Sequence, residues 1–145
     1  MDQVADVMTR DVRVVTPDDT VQRAAQLMDE LNVGVVPVCE GAKLVGMLTD
    51  RDITVRGVAA GKDAASTPVS EVMSGSVRCC FEDQPLEDVL DEMRDTQIRR
   101  MPVVDRQQQL VGIVSLGDLA DRGSDEASVG EALKDISTPA APDRG

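Results

Sequence analysis

One ten-residue pattern occurs twice. Leu44 to Ile53 reads LVGMLTDRDI and Leu110 to Leu119 reads LVGIVSLGDL; each is an apolar run broken by a glycine and closed by a hydroxyl residue with an aspartate three positions on. The apolar run reads as a buried strand. Thr49 with Asp52, and Ser115 with Asp118, read as a helix start capped from within. A strand turning straight into a helix, in two copies, demands a fold of two like units. Val7-Met8 recurs as Val72-Met73, and Val36-Pro37-Val38 as Met101-Pro102-Val103, both 65 residues on; the corners stand 66 apart after one extra residue in the turn Asp105 to Gln109. Such spacing across successive segments marks an internal duplication.

Each copy is predicted as strand, helix, strand, strand, helix, an α/β arrangement. Val4 to Met8 reads as a helical lead-in turn. Val12 to Val15 reads as a short strand ended by Thr16-Pro17. Asp19-Thr20 with Gln22 fits a capping-box start, and Val21, Ala24, Ala25, Met28 and Leu31 form the apolar face of the helix that follows. Pro37 inside the next strand points to an edge or an interrupted strand. After the turn Glu40 to Lys43 and the strand Leu44 to Leu48, Thr49 opens a helix to about Ala60, with Ile53, Val55 or Arg56, and Val58 expected on its buried side. In the second copy Leu86, Val89, Leu90 and Met93 repeat the helical face, with Pro85 in the first turn and Gln84 and Glu87 in the capping places. The expected organisation is a first repeat over 1–62, a linker over 63–69, a second repeat over 70–122, a short helix over 123–137 packing back on the pair, and a loose tail over 138–145.

Charge and composition narrow the function classes. Asp plus Glu number 27 against 15 Lys plus Arg, a formal net charge of −12, so a phosphate backbone or anionic membrane is a poor partner. Phe81 is the only aromatic residue, which leaves no platform for base stacking. No stretch approaches the roughly 20 apolar residues of a membrane helix. The acidic start, MDQVADVMTR, has no apolar signal region. Three unframed cysteines suit a reducing cytoplasm. With no histidine in the chain, the commonest general base and metal ligand are missing. No nucleophile–base pair or metal cluster stands out, so the reading is non-enzymatic.

The corners carry the chemistry. The plain reading of Thr49/Asp52 and Ser115/Asp118 is a helix cap. A helix start also presents free N–H groups, a carboxylate there accepts from a pair of ribose hydroxyls, and a nearby cation holds phosphate. The arrangement suits a nucleoside monophosphate. Arg99-Arg100 precede Met101-Pro102, and arginine forks suit phosphate, whereas Gly34-Val35 hold those places in the first copy. Two such sites are electrostatically unequal. Cys79-Cys80 read as buried small hydrophobes and the methionines as core filling. Cys39, at a strand end, leaves a redox reading open.

Taken together, VVPV, RMPVVD, the two corners and the VM opening of each repeat resemble a tandem pair of CBS domains, the module named after cystathionine beta-synthase, over residues 4 to 122. The compact form is also similar to stand-alone bacterial CBS pairs of the hypoxic-response type. The resemblance implies two small three-stranded sheets with helices about a pseudo-two-fold axis, a disc-like homodimer, and adenosine-containing ligands in two clefts between the repeats. By position, Asp118 and Ser115 would hold ribose in one cleft, with Arg99 and Arg51 reaching its phosphate from opposite repeats. Asp52 and Thr49 would hold ribose in the other, with Arg100 as main cation. Adenine would lie near Val15-Thr16 and Val36-Pro37, or Cys80-Phe81 and Met101-Pro102. Gly117 stands where Arg51 stands in the first repeat, and the Asp118 cleft is expected to be the better phosphate site.

The expectation is a cytoplasmic regulatory module that binds AMP, or else ADP, ATP, NAD or S-adenosylmethionine, and signals to an unknown effector protein. Its rivals are a structural dimerisation module with vestigial clefts and a thiol redox sensor acting through Cys39.

Overall fold

The structure, a computed structural model, describes residues 3–75, 77–96 and 98–122, with the backbone alone at Ala120, Asp121 and Arg122. The helix expected over 123–137 and the tail over 138–145 lie outside the described residues. The elements are α1 (Val4–Val7), α2 (Val21–Leu31), β1 (Val35–Glu40), β2 (Lys43–Thr49), α3 (Asp50–Asp52), a π-helix (Ile53–Val58), a 3-10 turn (Val69–Glu71), β3 (Cys80–Phe81), α4 (Leu86–Thr96), β4 (Arg100–Val104), β5 (Leu110–Ser115) and α5 (Leu116–Arg122). They gather into two compact units. The Thr49 unit takes residues 13–77 and 107–110; the Ser115 unit takes 3–12, 78–106 and 111–122.

In the Thr49 unit β1 pairs antiparallel with β2, setting Val35 opposite Thr49 and Val36 opposite Leu48. In the Ser115 unit β4 lies between β3 and β5, and β3 runs parallel to it with Cys80 opposite Val103 and Phe81 opposite Val104. The strand expected over Val12 to Val15 is reduced to one parallel bridge, Val15 to Val38, and prolines are the reason. Val15 N–H donates to Pro37 O at 3.1 Å, and Cys39 N–H to Val15 O at 2.9 Å. The next ladder bond upstream would need an N–H at Pro37 and the next downstream one at Pro17; neither residue has one. In the other unit Glu82 takes the place of Pro17 and donates to Val104 O at 3.2 Å, so the ladder gains a residue and β3 forms.

Pro37 was expected to mark an edge or an interrupted strand, and β1 does shift register, between Val38 and Cys39. Pro102 lies in the middle strand of its sheet, and β1 with Pro37 lies between β2 and the Val15 bridge. The missing donor is tolerated because the neighbour it would serve has already left the ladder.

The α2 helix buries Val21, Ala24, Leu27 and Met28. Ala25, expected inside, is exposed; Leu27 completes the stripe, since a leucine gains about 1.5–3 kcal/mol on burial, far more than a methyl. Thr20 alone caps the helix, accepting from Arg23 N–H at 3.1 Å. Asp19 pairs with Thr16 instead: Thr16 N–H donates to Asp19 Oδ2 at 2.8 Å and Asp19 N–H to Thr16 Oγ1 at 3.2 Å. The α4 helix buries Leu86, Val89, Leu90 and Met93 as the spacing predicts. Pro85 falls one residue before it, and Gln84 Oε1 accepts from Phe81 N–H at 2.8 Å rather than capping the helix. Beyond Thr49 the helix is α for one turn and then π. Its wider turn puts Gly57 inward and leaves Val55 and Val58, expected on the buried side, 46% and 68% exposed.

The lead-in segments cross between copies. The first repeat's lead-in packs in the Ser115 unit, where Val4 N–H donates to Gln84 O at 3.0 Å and Ala5 N–H to Glu82 O at 2.9 Å. The second repeat's lead-in packs in the Thr49 unit, where Val69 N–H donates to Asp19 O at 2.8 Å and Ser70 N–H to Pro17 O at 3.0 Å. Both then pair with a corner strand: Thr9 exchanges bonds with Ile113 at 2.8 and 3.0 Å, and Ser74 with Met47 at 3.0 Å each way. This contact explains the glycine in each corner. A Cβ on Gly112 would stand 2.7 Å from Thr9 O, and one on Gly46 2.9 Å from Ser74 O.

Candidate ligand-binding site

Each corner is built by its own unit. In the Thr49 unit, β2 ends on Thr49, whose N–H donates to Asp52 Oδ2 at 3.0 Å while Asp52 N–H donates to Thr49 Oγ1 at 3.0 Å. Asp50 N–H closes the corner on Gly34 O at 2.9 Å. In the Ser115 unit, Ser115 N–H donates to Asp118 Oδ2 at 2.8 Å, Asp118 N–H to Ser115 Oγ at 3.1 Å, and Leu116 N–H to Arg99 O at 2.9 Å. The two corners match bond for bond. Each carboxylate is half-buried, uses Oδ2 for the cap, and leaves Oδ1 with no hydrogen bond among the described residues. A fixed carboxylate with one oxygen open is a ready acceptor for a hydroxyl.

The cations around the corners are exposed: Arg51 beside Asp52, and Arg99 and Arg100 at the head of β4. The corners differ in charge as the sequence implies, since Asp50 and Gly34 stand where the Ser115 unit has Leu116 and Arg99.

Of the residues expected to line adenine, several are placed elsewhere. Val36, Met101 and Cys80 point into the cores at 1%, 0% and 0% exposure, and Pro37 and Pro102 are also buried. Thr16 follows the Val15–Val38 bridge. That sets it about four residues, roughly 13 Å of strand rise, from the Val35–Thr49 end. Phe81, opposite Val104, is about as far from Arg100, roughly 13 Å. Its ring is already covered by the Arg106 guanidinium, 4.1 Å from the centroid, which also pairs with Asp83 at 2.8 Å. Parallel pairing brings the chain into each bridge from the corner end, through Arg13-Val14 and Arg78-Cys79.

The redox reading of Cys39 is corrected. Cys39 is 2% exposed, and burial raises its thiol pKa. Burial, then the neighbouring Glu92, also raises Cys79. Cys80 is pushed up to about 12 by burial first, then by Cys79 and Glu92. Sensing chemistry needs a thiolate, and these sites oppose one. Among the described residues no helix is long and apolar enough to cross a membrane.

A family model described as "CBS domain" matches residues 4–56 and 69–125. The chain belongs to the CBS-domain family. It is 50% identical over 137 residues to the CBS domain-containing protein YhcV of Bacillus subtilis, covering 94% of this chain and 96% of that one. It is 35% identical over 142 residues to Hypoxic response protein 1 of Mycobacterium tuberculosis, covering 97% and 98%. Among solved structures, Hypoxic Response Protein I with two coordinated zinc ions superposes with a TM-score of 0.77 at 35% identity, covering 85% of this chain and 100% of that one. CBSX2 in complex with AMP gives 0.70 at 28% identity, covering 91% and 96%. The CBS domain pair of MJ0100 in complex with 5'-methylthioadenosine and S-adenosyl-L-methionine gives 0.68 at 28% identity, covering 83% and 94%.

Proposed function

We propose that the chain is a non-enzymatic regulatory module that binds an adenosine-containing ligand, AMP first, at its two corners. In this reading Asp118 and Ser115 hold one ribose, with Arg99 as phosphate cation, and Asp52 and Thr49 hold a second. The observation that carries it is the pair of half-buried carboxylates, each locked by a capping box and each with one oxygen open. The AMP and S-adenosylmethionine complexes of related CBS pairs support an adenosyl ligand. The module would work as a homodimer in the cytoplasm and pass occupancy to an effector protein through differential affinity for two states.

Hypoxic Response Protein I carries two coordinated zinc ions. The chain has no histidine, and among the described residues no three of His, Cys, Asp and Glu gather closely enough to hold a metal.

Thermal melting tests the reading. A ligand at about 100 times its Kd adds roughly 2.7 kcal/mol, so AMP should raise the melting temperature with concentration and GMP much less. A melting temperature unmoved by millimolar AMP, ADP, ATP, NAD and S-adenosylmethionine would overturn it.

A further inference from the structure

The two corners share their bonds but not their charges. Asp50 N–H closes one on Gly34 O and Leu116 N–H closes the other on Arg99 O, both at 2.9 Å. Gly34 therefore answers Arg99, and Asp50 answers Leu116. Leu116 is buried in the core of its unit. Asp50 is exposed, and its carboxylate is turned back on the entry to β1. Oδ1 accepts from Arg51 N–H at 2.8 Å. A Cβ built on Gly34 would stand 3.0 Å from Oδ2 and 3.4 Å from Cγ. Gly34 is not needed for its backbone, since the positive-φ glycines among the described residues are Gly41 and Gly61. What it provides is room for the Asp50 carboxylate.

Where the Ser115 corner starts an arginine side chain, the Thr49 corner thus seats a carboxylate. Asp50 and Asp52 against Arg51, with no cation from Gly34-Val35, leave the Thr49 corner net negative. Arg99 and Arg100 against Asp118 leave the Ser115 corner net positive. Arg13 and Arg78, at matching places, bring the same charge to both units.

We infer that the two corners select different ligands: the Ser115 corner a nucleotide, and the Thr49 corner an adenosyl compound whose 5' substituent carries no negative charge. The inference rests on the proposed function for its ribose contact and adds Asp50 as the discriminating residue. The ribose cannot discriminate, because the two capping boxes match bond for bond. The 5' group can, since Asp50 repels a phosphate and leaves a neutral group alone; selectivity gained by repelling the wrong ligand is a common device. Exposure limits the effect. In water a unit charge at close approach changes affinity by about fivefold, and a phosphate carries up to two.

Amide NMR titrations read each corner separately, and adenosine and AMP differ only in the phosphate. The Thr49 and Asp52 amides should respond to adenosine at a concentration about fivefold or more below that of AMP. The Ser115 and Asp118 amides should show the reverse order. Asp50→Asn keeps an acceptor for Arg51 N–H and removes the charge. It should tighten AMP at the Thr49 corner by about fivefold or more and leave adenosine unmoved. AMP binding at Thr49 and Asp52 as tightly as adenosine, or with the same affinity in Asp50→Asn, overturns the inference and leaves the proposed function standing. If neither compound moves any corner amide, the proposed function falls and the inference with it.

Discussion

Replacing Asp118 by alanine separates the cap from the ligand contact. The substitution removes Oδ2, the acceptor of Ser115 N–H at 2.8 Å, but leaves the backbone N–H of residue 118 on Ser115 Oγ at 3.1 Å. Half of the capping box survives, so the stability loss should be about 0.5–1 kcal/mol, seen by calorimetry as a fall of roughly 2–4 °C. Affinity should fall further. A hydrogen bond to a charged group is worth about 1.5–3 kcal/mol, so AMP should bind roughly 10- to 150-fold more weakly by isothermal titration. Asp118→Asn keeps a single acceptor oxygen, enough for the cap or the ribose but not both, and should lie between wild type and Asp118→Ala. Asp52→Ala should cost AMP less than Asp118→Ala, because Arg99 favours the Ser115 corner. Unchanged AMP affinity in Asp118→Ala, alongside the expected stability loss, would refute the ligand role and leave only the cap.

Gly112→Ala drives a Cβ to within 2.7 Å of Thr9 O, so it should destabilise by about 1–3 kcal/mol, whereas Gly117→Ala, whose nearest contact is 3.6 Å away, should do far less; denaturant melts compare them. The Cys80 thiol titrates near 9.0 when unfolded and at about 12 when folded. Its stabilising contribution is therefore full below pH 9 and is lost as pH rises to about 12. Cys80→Ala should flatten that alkaline loss in melts run across this range; Cys39 and Cys79, also raised, account for the remaining slope. Phe81→Leu should leave AMP affinity within about twofold, since the ring lies at the far end of its strand; a tenfold loss by titration would return adenine to that ring.

Residue spacing carries the duplication because like segments keep like patterns: the two corners with their capping boxes, the face of α4 and most of the face of α2 were legible from it, while the caps expected at Asp19 and Gln84 were not realised. Spacing cannot say which copy a segment packs on. The lead-ins Val4–Val7 and Val69–Glu71 carry the same apolar signature, yet each hydrogen-bonds to the turn of the other copy. Pro37 shows a local rule overridden by its context. Proline favours edges because it lacks a donor, and here the partner segment stops where that donor would be needed. The π register was hidden for a similar reason, since ITVRGV and its α counterpart begin from the same capping box. The ribose carboxylates were legible as caps. The exclusion of Thr16 and Phe81 from the corner end needed the parallel register of Val15 with Val38 and of Phe81 with Val104.

Native mass spectrometry of the gently purified protein, titrated with AMP, tests the central claim most directly. The account predicts an adduct of AMP mass on each chain at sub-millimolar nucleotide, followed by a second at higher concentration, with the first lost in Asp118→Ala. A chain that keeps its bare mass through millimolar AMP, and carries no adenosyl compound from the cell, would contradict it.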